Sequence, residues 1–495
     1  MNRPIRRLLV ANRGEIALRV IRAARELGIS TVAVCSALDR DGLWCRAADT
    51  VVELGGESPA SSYLNTALIL GAAHRSGADS VHPGYGFFSE NAGFAQAATD
   101  AGLNFVGPSP EVIGWMGDKL AARRIAADAG VPILPGAEDP GPEALRRLGL
   151  PVLLKAAGGG GGRGMREVQR AEQLDEALAE ARAEAEAAFG DARIYVERRL
   201  VGARHIEVQV LADRHGGLLH LGERECSIQR RHQKLVEECP SPVLDARQRA
   251  AIGAAALRLL ERTGYLGVGT VEFLLDASGE FYFLEMNTRI QVEHPVTEAV
   301  WGVDLVAEQL RLASGSRLSV TDATPRGHAI ECRIIAEDPA NHFLPSPGRI
   351  SRLRLPSGPG IRIDSGVEEG SVIPELYDPL LLKLSAWGPD RESARRRMVE
   401  ALRDTVLLGP ATTAEFLRDL LESPEFIAGA TPTTMLPPFL AAWRPEPHLP
   451  AMVIGWMLQN EAGFSSATAR GGGAPARTGA GQNPWTTAGA WRMGS

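Results

Sequence analysis

Five polar residues occupy every second position of one short stretch: Glu285, Asn287, Arg289, Gln291 and Glu293. Met286, Thr288, Ile290 and Val292 fill the gaps. In an extended chain, alternate side chains share a face. One face then carries carboxylate, amide, guanidinium, amide and carboxylate in a row. An edge strand with a wet side would satisfy the same pattern. Asn is disfavoured in strands, however, and so varied a row of groups fits the floor of an active site better.

Just upstream, TVEFLL (270–275), a DASG turn and FYFLEMN (281–287) predict a hairpin. It sets Glu272 beside Glu285. Two carboxylates that close repel, and one turns neutral unless a cation lies between them. With Asn287 two residues on, the donors are all oxygen. That suits Mg2+, which keeps substrate phosphates among its ligands. Paired carboxylates on a solvated surface are the alternative.

Other stretches could handle phosphate. The apolar strand PVLLKAA (151–157) delivers Lys155 into GGGGGRGM (158–165). Glycine amides approach phosphate closely, so this reads as a phosphate lid rather than a flexible linker. It is not a P-loop, because the Gly-Lys-Ser/Thr ending is missing. QRRHQK (229–234) gathers Gln229, His232 and Lys234, with a basic surface loop as the plain alternative. Of 53 basic residues only Lys119, Lys155, Lys234 and Lys383 are lysine. Where arginine is the default cation, lysine marks sites that need a compact ammonium rather than a planar fork. Lys383 lies in no such stretch and reads as chance retention.

The positioning elements follow from periodicity. RLLVA (7–11), the loop NRGE, the amphipathic IALRVIRAARELG and STVAVCS form a βαβ opening with a parallel sheet. The first turn has only Gly14, so the three-glycine dinucleotide fingerprint is absent. HPGYGFFSEN (82–91) is a turn-rich loop after the short strand SVH. AEQLDEALAEARAEAEAAFG (171–190) predicts a surface helix. HIEVQVLAD (205–213) and GLLHLGERECS (217–227) predict antiparallel strands. From about 326 the pattern is α+β, and SSATARGGGAPARTGAGQ (465–482) is low-complexity linker.

Composition narrows the classes. At 495 residues, about two to four domains are expected. A net charge of −7 gives no bulk attraction for nucleic acid. No apolar run approaches the roughly 20 residues of a membrane span, and LLVA is too short for a signal peptide. The five cysteines are odd in number and lack metal spacing, which fits free thiols in a cytoplasmic protein.

Taken in order, ANRGEIALR, HPGYGFFSEN, MGDK, KAAGGGGGRGM, QRRHQK, EMNTRIQVEHPVTE, ECRIIAEDP and FLPSPG resemble the biotin carboxylase family of ATP-grasp enzymes. The match runs from about 5 to 440. The resemblance implies a Rossmann-like α/β N-terminal domain (1–112) and an ATP-grasp domain (113–325) with a mobile Gly-rich lid over about 131–204. An α+β C-terminal domain (326–446) and a tail (447–495) complete the chain.

It also implies the chemistry. Bicarbonate attacks ATP to give carboxyphosphate, which breaks down to CO2 and phosphate. Biotin, supplied on a carrier, loses its ureido N1 proton and captures CO2. By resemblance, Lys119, Lys155, Gly161 and Gly162 hold ATP phosphates. Glu197, Arg198, Leu200, His205, Gln229 and His232 surround the nucleotide. Glu272, Glu285 and Asn287 bind Mg2+ or Mn2+, the two glutamates also counting among the ATP-site residues. Lys234, Arg289, Gln291 and Val292 hold bicarbonate. Glu293 is the base, and Arg289 and Arg333 stabilise the biotin oxyanion. The implied partners are a carboxyltransferase subunit, the biotin carboxyl carrier and a second copy of the chain.

Two positions depart from the family pattern. Arg198 stands where Lys is common, and Thr433 and Thr434 stand where His is sometimes found, both near nucleotide. The tail, with Pro484-Trp485 and Trp491-Arg492, resembles the opening of the domain after biotin carboxylase in acyl-CoA carboxylase alpha chains, nearest the methylcrotonyl- or geranyl-CoA type. No lysine comes after Lys383, so this chain offers none for biotin attachment there. It is expected to be a truncated alpha chain or a carboxylase served by a separate carrier. A carboxylate–amine ligase of the ATP-grasp class is the competing enzyme, and a non-catalytic scaffold the competing non-enzyme.

Overall fold

The computed structural model describes residues 4–158, 164–320 and 323–445. The apolar run of β1 (Arg7–Val10) lies at the centre of a parallel five-stranded sheet. Its neighbours are β2 (Ser30–Cys35) and β4 (Ser80–His82), and β3 (Thr50–Glu53) and β5 (Asn104–Phe105) form the edges. Helix α1 (Gly14–Glu26) buries Ile16, Ala17, Val20 and Ile21 against that sheet. Both sheet faces are covered, as near-continuous apolar strands require.

A small four-stranded sheet comes next. In it β9 (Ile194–Arg198) lies between β6 (Gly136–Ala137) and β7 (Val152–Ala156), with β8 (Arg166–Val168) at the far edge. The predicted surface helix, α3 (Leu174–Phe189), turns Leu174, Ala181 and Ala185 inward and leaves its acidic face in water. Just before this sheet, α2 (Lys119–Asp128) begins at Asp118, whose side chain accepts from the Ala121 N–H and caps the helix.

The largest sheet has eight strands. Its first part runs β14 (Phe281–Asn287), β13 (Gly267–Leu275), β10 (Arg204–Ala212), β11 (Leu218–Arg230) and β12 (Gln233–Cys239). It continues through β15 (His328–Ile335), β17 (Leu380–Gly388) and β16 (Ile361–Ser365). Helices α4 (Ala246–Thr263) and α6 (Arg391–Asp404) cover two apolar regions of it. The pairing of β12 with β15 carries the sheet across the predicted boundary at 326. An exposed edge on β12 would leave a row of backbone N–H and C=O groups unpaired. The boundary in sequence is therefore no break in hydrogen bonding.

The polar row departs from expectation in one respect. Strand β14 ends at Asn287, residues 288–293 bend, and α5 (His294–Trp301) begins directly afterwards. Period-two alternation stops where the chain turns into a helix. There His294 Nδ1 donates to the Gln291 carbonyl at 2.7 Å and Pro295 sits in the first turn. Among the described residues no helix is long and apolar enough to cross a membrane, and all five cysteines are free and buried.

Candidate active site

Although it is not one strand, the row still gathers. Arg289 donates to Asn287 Oδ1 at 2.9 Å and to Gln291 Oε1 at 2.8 Å. Gln291 and Asn287 both donate to Glu272 Oε1, at 2.9 and 2.8 Å. Glu90, from the HPGYGFFSEN loop, accepts from Arg289 Nε at 2.9 Å. Side-chain bonds hold together what the strand does not.

Lys234 is the hub. Its ammonium lies 2.5 Å from Glu207 Oε2, 2.6 Å from Glu293 Oε1 and 3.1 Å from Glu272 Oε1. Burial would discharge such a lysine, but the three carboxylates outweigh it and hold its pKa well above the ordinary value. The other Glu293 oxygen accepts from Arg333 at 3.0 Å. Burial favours the neutral acid at Glu293, and Lys234, Arg333 and Arg224 together overcome this and push it well below the carboxylate range. Arg333 is itself held by Glu237, which accepts from its Nε at 2.6 Å. Burial raises Glu237 to about 7 against the pull of Arg333.

Glu272 and Glu285 face each other in register on β13 and β14. Glu272 is driven toward its acid form by burial but ends lowered, through the charges of Lys234 and His205. His205 Nε2 lies 2.9 Å from it. Glu285 is raised, by burial first and then by the Glu272 charge. That residual repulsion is what a divalent cation relieves, so two carboxylates and the Asn287 amide fit a hard metal ion.

At the other end, Lys155 on β7 lies 2.5 Å from Glu197 Oε2 on β9, and Arg123 of α2 closes on the other Glu197 oxygen. The Lys119 N–H donates to the Ala157 carbonyl at 2.8 Å, so the start of α2 meets the end of the Lys155 strand. His232 sits at the tip between β11 and β12 with φ +66°. Its pKa is lowered by burial, then by the charges of Lys155 and His205. Gln229 pairs in register with Lys234. Arg198 ends β9, with its N–H on the Pro135 carbonyl at 2.9 Å, and Leu200 comes two residues later, half-buried. The Thr433 N–H donates to the Ala203 carbonyl at 2.9 Å, which ties the TPTTML segment to the loop after β9. Gly161 and Gly162 lie outside the described residues.

Several members of this network were not singled out in the sequence. Glu207, Arg224 and Glu237 carry no motif of their own, and Glu90 lies within HPGYGFFSEN without standing out from it. Arg224 has no exposed surface and donates to Glu207, Gln209, Thr297 and Thr270. The available signal was a charged residue inside an apolar strand, as in HIEVQV and LVEEC. Lys383 is a correction. It is fully buried, with its Nζ 2.7 Å from the Val292 carbonyl, and so is no leftover surface cation.

Comparison with known proteins accounts for this assembly. Three family profiles match in chain order: Biotin carboxylase, N-terminal domain, at 4–113; Carbamoyl-phosphate synthase L chain, ATP binding domain, at 118–321; and Biotin carboxylase C-terminal domain at 331–437. The chain is 51% identical over 438 residues to a biotin carboxylase of Nostoc sp., covering 87% of this chain and 98% of that protein. It is 49% identical over 432 residues to one of the pyruvate carboxylase subunits of Methanothermobacter thermautotrophicus, covering 86% and 88%. A solved biotin carboxylase from Campylobacter jejuni superposes with TM-score 0.85 at 42% identity, over 87% of this chain and 98% of that one. The biotin carboxylase domain dimer of Hydrogenobacter thermophilus 2-oxoglutarate carboxylase, solved with MgADP and bicarbonate, gives 0.86 at 42%, over 90% and 100%. The chain belongs to the biotin carboxylase family of ATP-dependent ligases.

Proposed function

We propose that the chain uses ATP and bicarbonate to carboxylate biotin held on a carrier, with the site residues in the roles that the family resemblance implies. The observation that carries this is the Lys234 ammonium. It joins Glu272, at the metal end, to Glu293, at the anion end, within one buried network. Glu272, Glu285 and Asn287 hold Mg2+, which when bound neutralises phosphate charge. Lys119 and Lys155, with Gly161 and Gly162, cradle the phosphates. Glu197, Arg198, Leu200, His205, Gln229 and His232 surround the nucleotide.

Lys234 and Arg333 engage the two Glu293 oxygens, and so paired the carboxylate is a weak base. Bicarbonate entering beside Lys234, Arg289, Gln291 and Val292 competes for those cations and frees Glu293 to accept its proton. The bicarbonate oxygen then attacks the γ-phosphoryl group, giving carboxyphosphate and ADP. Breakdown leaves CO2 and phosphate, and phosphate or the base takes the ureido N1 proton. Arg289 and Arg333 stabilise the resulting oxyanion, an effect on the order of several kcal/mol for fixed, buried cations.

The partners in this reading are a biotin carrier, a carboxyltransferase and a second copy of the chain. The dimer described for the Hydrogenobacter domain supports the last. The tail sequence around Trp485 and Trp491 supports an acyl-CoA as the final acceptor. Recovering the partner carboxyltransferase and finding it active on pyruvate but on no acyl-CoA would remove that part. The deciding assay is ATP hydrolysis with bicarbonate and free biotin. Stimulation by both is expected, and a folded, ATP-binding protein that ignores biotin would overturn the assignment.

A further inference from the structure

Three of the four lysines belong to the site just described, and the fourth reaches it from behind. Lys383 lies on β17, paired in register with Arg333 on β15 and Asp364 on β16. It has no exposed surface. Its ammonium donates to the Val292 carbonyl at 2.7 Å and lies 3.3 Å from Glu15 Oε1 on α1. The same Glu15 oxygen accepts from the Tyr85 hydroxyl of the HPGYGFFSEN loop. At Gly366 a Cβ would stand 2.7 Å from the Glu15 amide nitrogen, so a bare backbone lets the C-terminal unit close on this point. One ammonium thus meets the N-terminal unit, the C-terminal sheet and the bend that carries Glu293.

The Val292 carbonyl belongs to the peptide that leads into Glu293. Once the strand has ended at Asn287, no ladder fixes that peptide. We infer that Lys383 is a positioning residue for carboxylation, pinning the Val292–Glu293 peptide so that Glu293 faces Lys234 and Arg333. The inference rests on the reading of 289–293 as the bicarbonate site. It also explains the residue type. An ammonium is a compact charge that directs three donors from one point, which suits a carbonyl and a carboxylate reached together.

Steady-state kinetics of the full chain test it. Lys383→Met is expected to raise the KM for bicarbonate and lower kcat, each about 10-fold or more, in keeping with the cost of a misplaced catalytic group. The KM for ATP should stay within about twofold, because Lys155 is held by Glu197 on the small four-stranded sheet. A merely smaller folded fraction lowers kcat and leaves every KM unchanged, and that result would overturn a positioning role. Should Lys383→Met not fold, Lys383→Met combined with Glu15→Gln leaves no unmatched charge in the pair and must show the same split. Wild type that ignores bicarbonate and biotin removes the functional reading itself, and this inference with it. Active wild type beside a variant of unchanged bicarbonate KM overturns the Lys383 inference alone.

Discussion

Glu293, the base in the proposed reaction, has both oxygens engaged by cations. Lys234 and Arg333 take one oxygen each, and the carboxyl lies well below its ordinary range. Glu293→Gln keeps the volume but cannot take a proton. It should lower kcat by about 10²–10⁴-fold while nucleotide binding persists, a split read from turnover beside an ATP-binding titration. Glu225 is a second carboxyl governed by its surroundings. Burial pushes it up to about 7, against the opposing pull of Arg204, Ser227 and Ser241. A raised folded pKa means that the folded state binds the proton more tightly. The group's stabilisation is therefore full below the ordinary value of 4.5 and is lost as pH rises toward 7. Glu225→Gln escapes that loss. Relative to wild type it should gain stability between pH 5 and pH 8, by at most on the order of 3 kcal/mol. Denaturant melts at both pH values decide this, and a constant difference would refute it.

At the scale of elements, the β13–β14 hairpin sets the end proposed to bind metal. Register alone places Glu272 opposite Glu285, and the strand order places Lys234 within reach of Glu272. In the proposed site, removing one oxygen donor weakens the binding of a hard cation. Glu285→Gln should therefore raise the Mg2+ concentration for half-maximal ATP hydrolysis by about 10-fold or more, with activity returning at high Mg2+. Loss that no Mg2+ concentration restores would point to another role for Glu285. The bend at 288–293 is the complementary element. Its side chains are held by Glu90, from a loop, and by Lys234 and Arg333, which Glu207 and Glu237 anchor from two strands.

Across the whole molecule, the three sequence units share one mechanical body. The eight-stranded sheet passes from the central unit into the C-terminal unit without a gap. Glu298 on α5 accepts from Arg19 of α1 at 3.0 Å, from Arg362 of β16 at 2.5 Å and from the Leu305 N–H at 2.6 Å. Glu298→Ala would leave two guanidinium groups without their shared carboxylate. Because Arg19 keeps Asp304 and Arg362 keeps Asp364, it should cost about 1–2 kcal/mol, read as a lower Tm in calorimetry. Residues 113–445 should still melt in one transition, because a shared sheet cannot lose half its strands independently. Two resolved transitions would contradict the continuity of the sheet as a cooperative unit.

Some of this was legible in the residues alone. The βαβ opening, the Glu272–Glu285 hairpin and the order of motifs depend on local periodicity and on short spacing, which a sequence carries directly. Rare lysine among many arginines pointed to Lys119, Lys155 and Lys234 of the candidate site for the same reason. The straight strand through Glu293 failed because alternation fixes which side a residue takes only while the chain stays extended. A helix beginning at His294 ended that condition. The partners of Lys234 lie 27, 38 and 59 residues away in the chain, and that of Lys383 lies 91 away. Which buried charge neutralises which is settled by strand order and register, and these exist only once the sheet has formed.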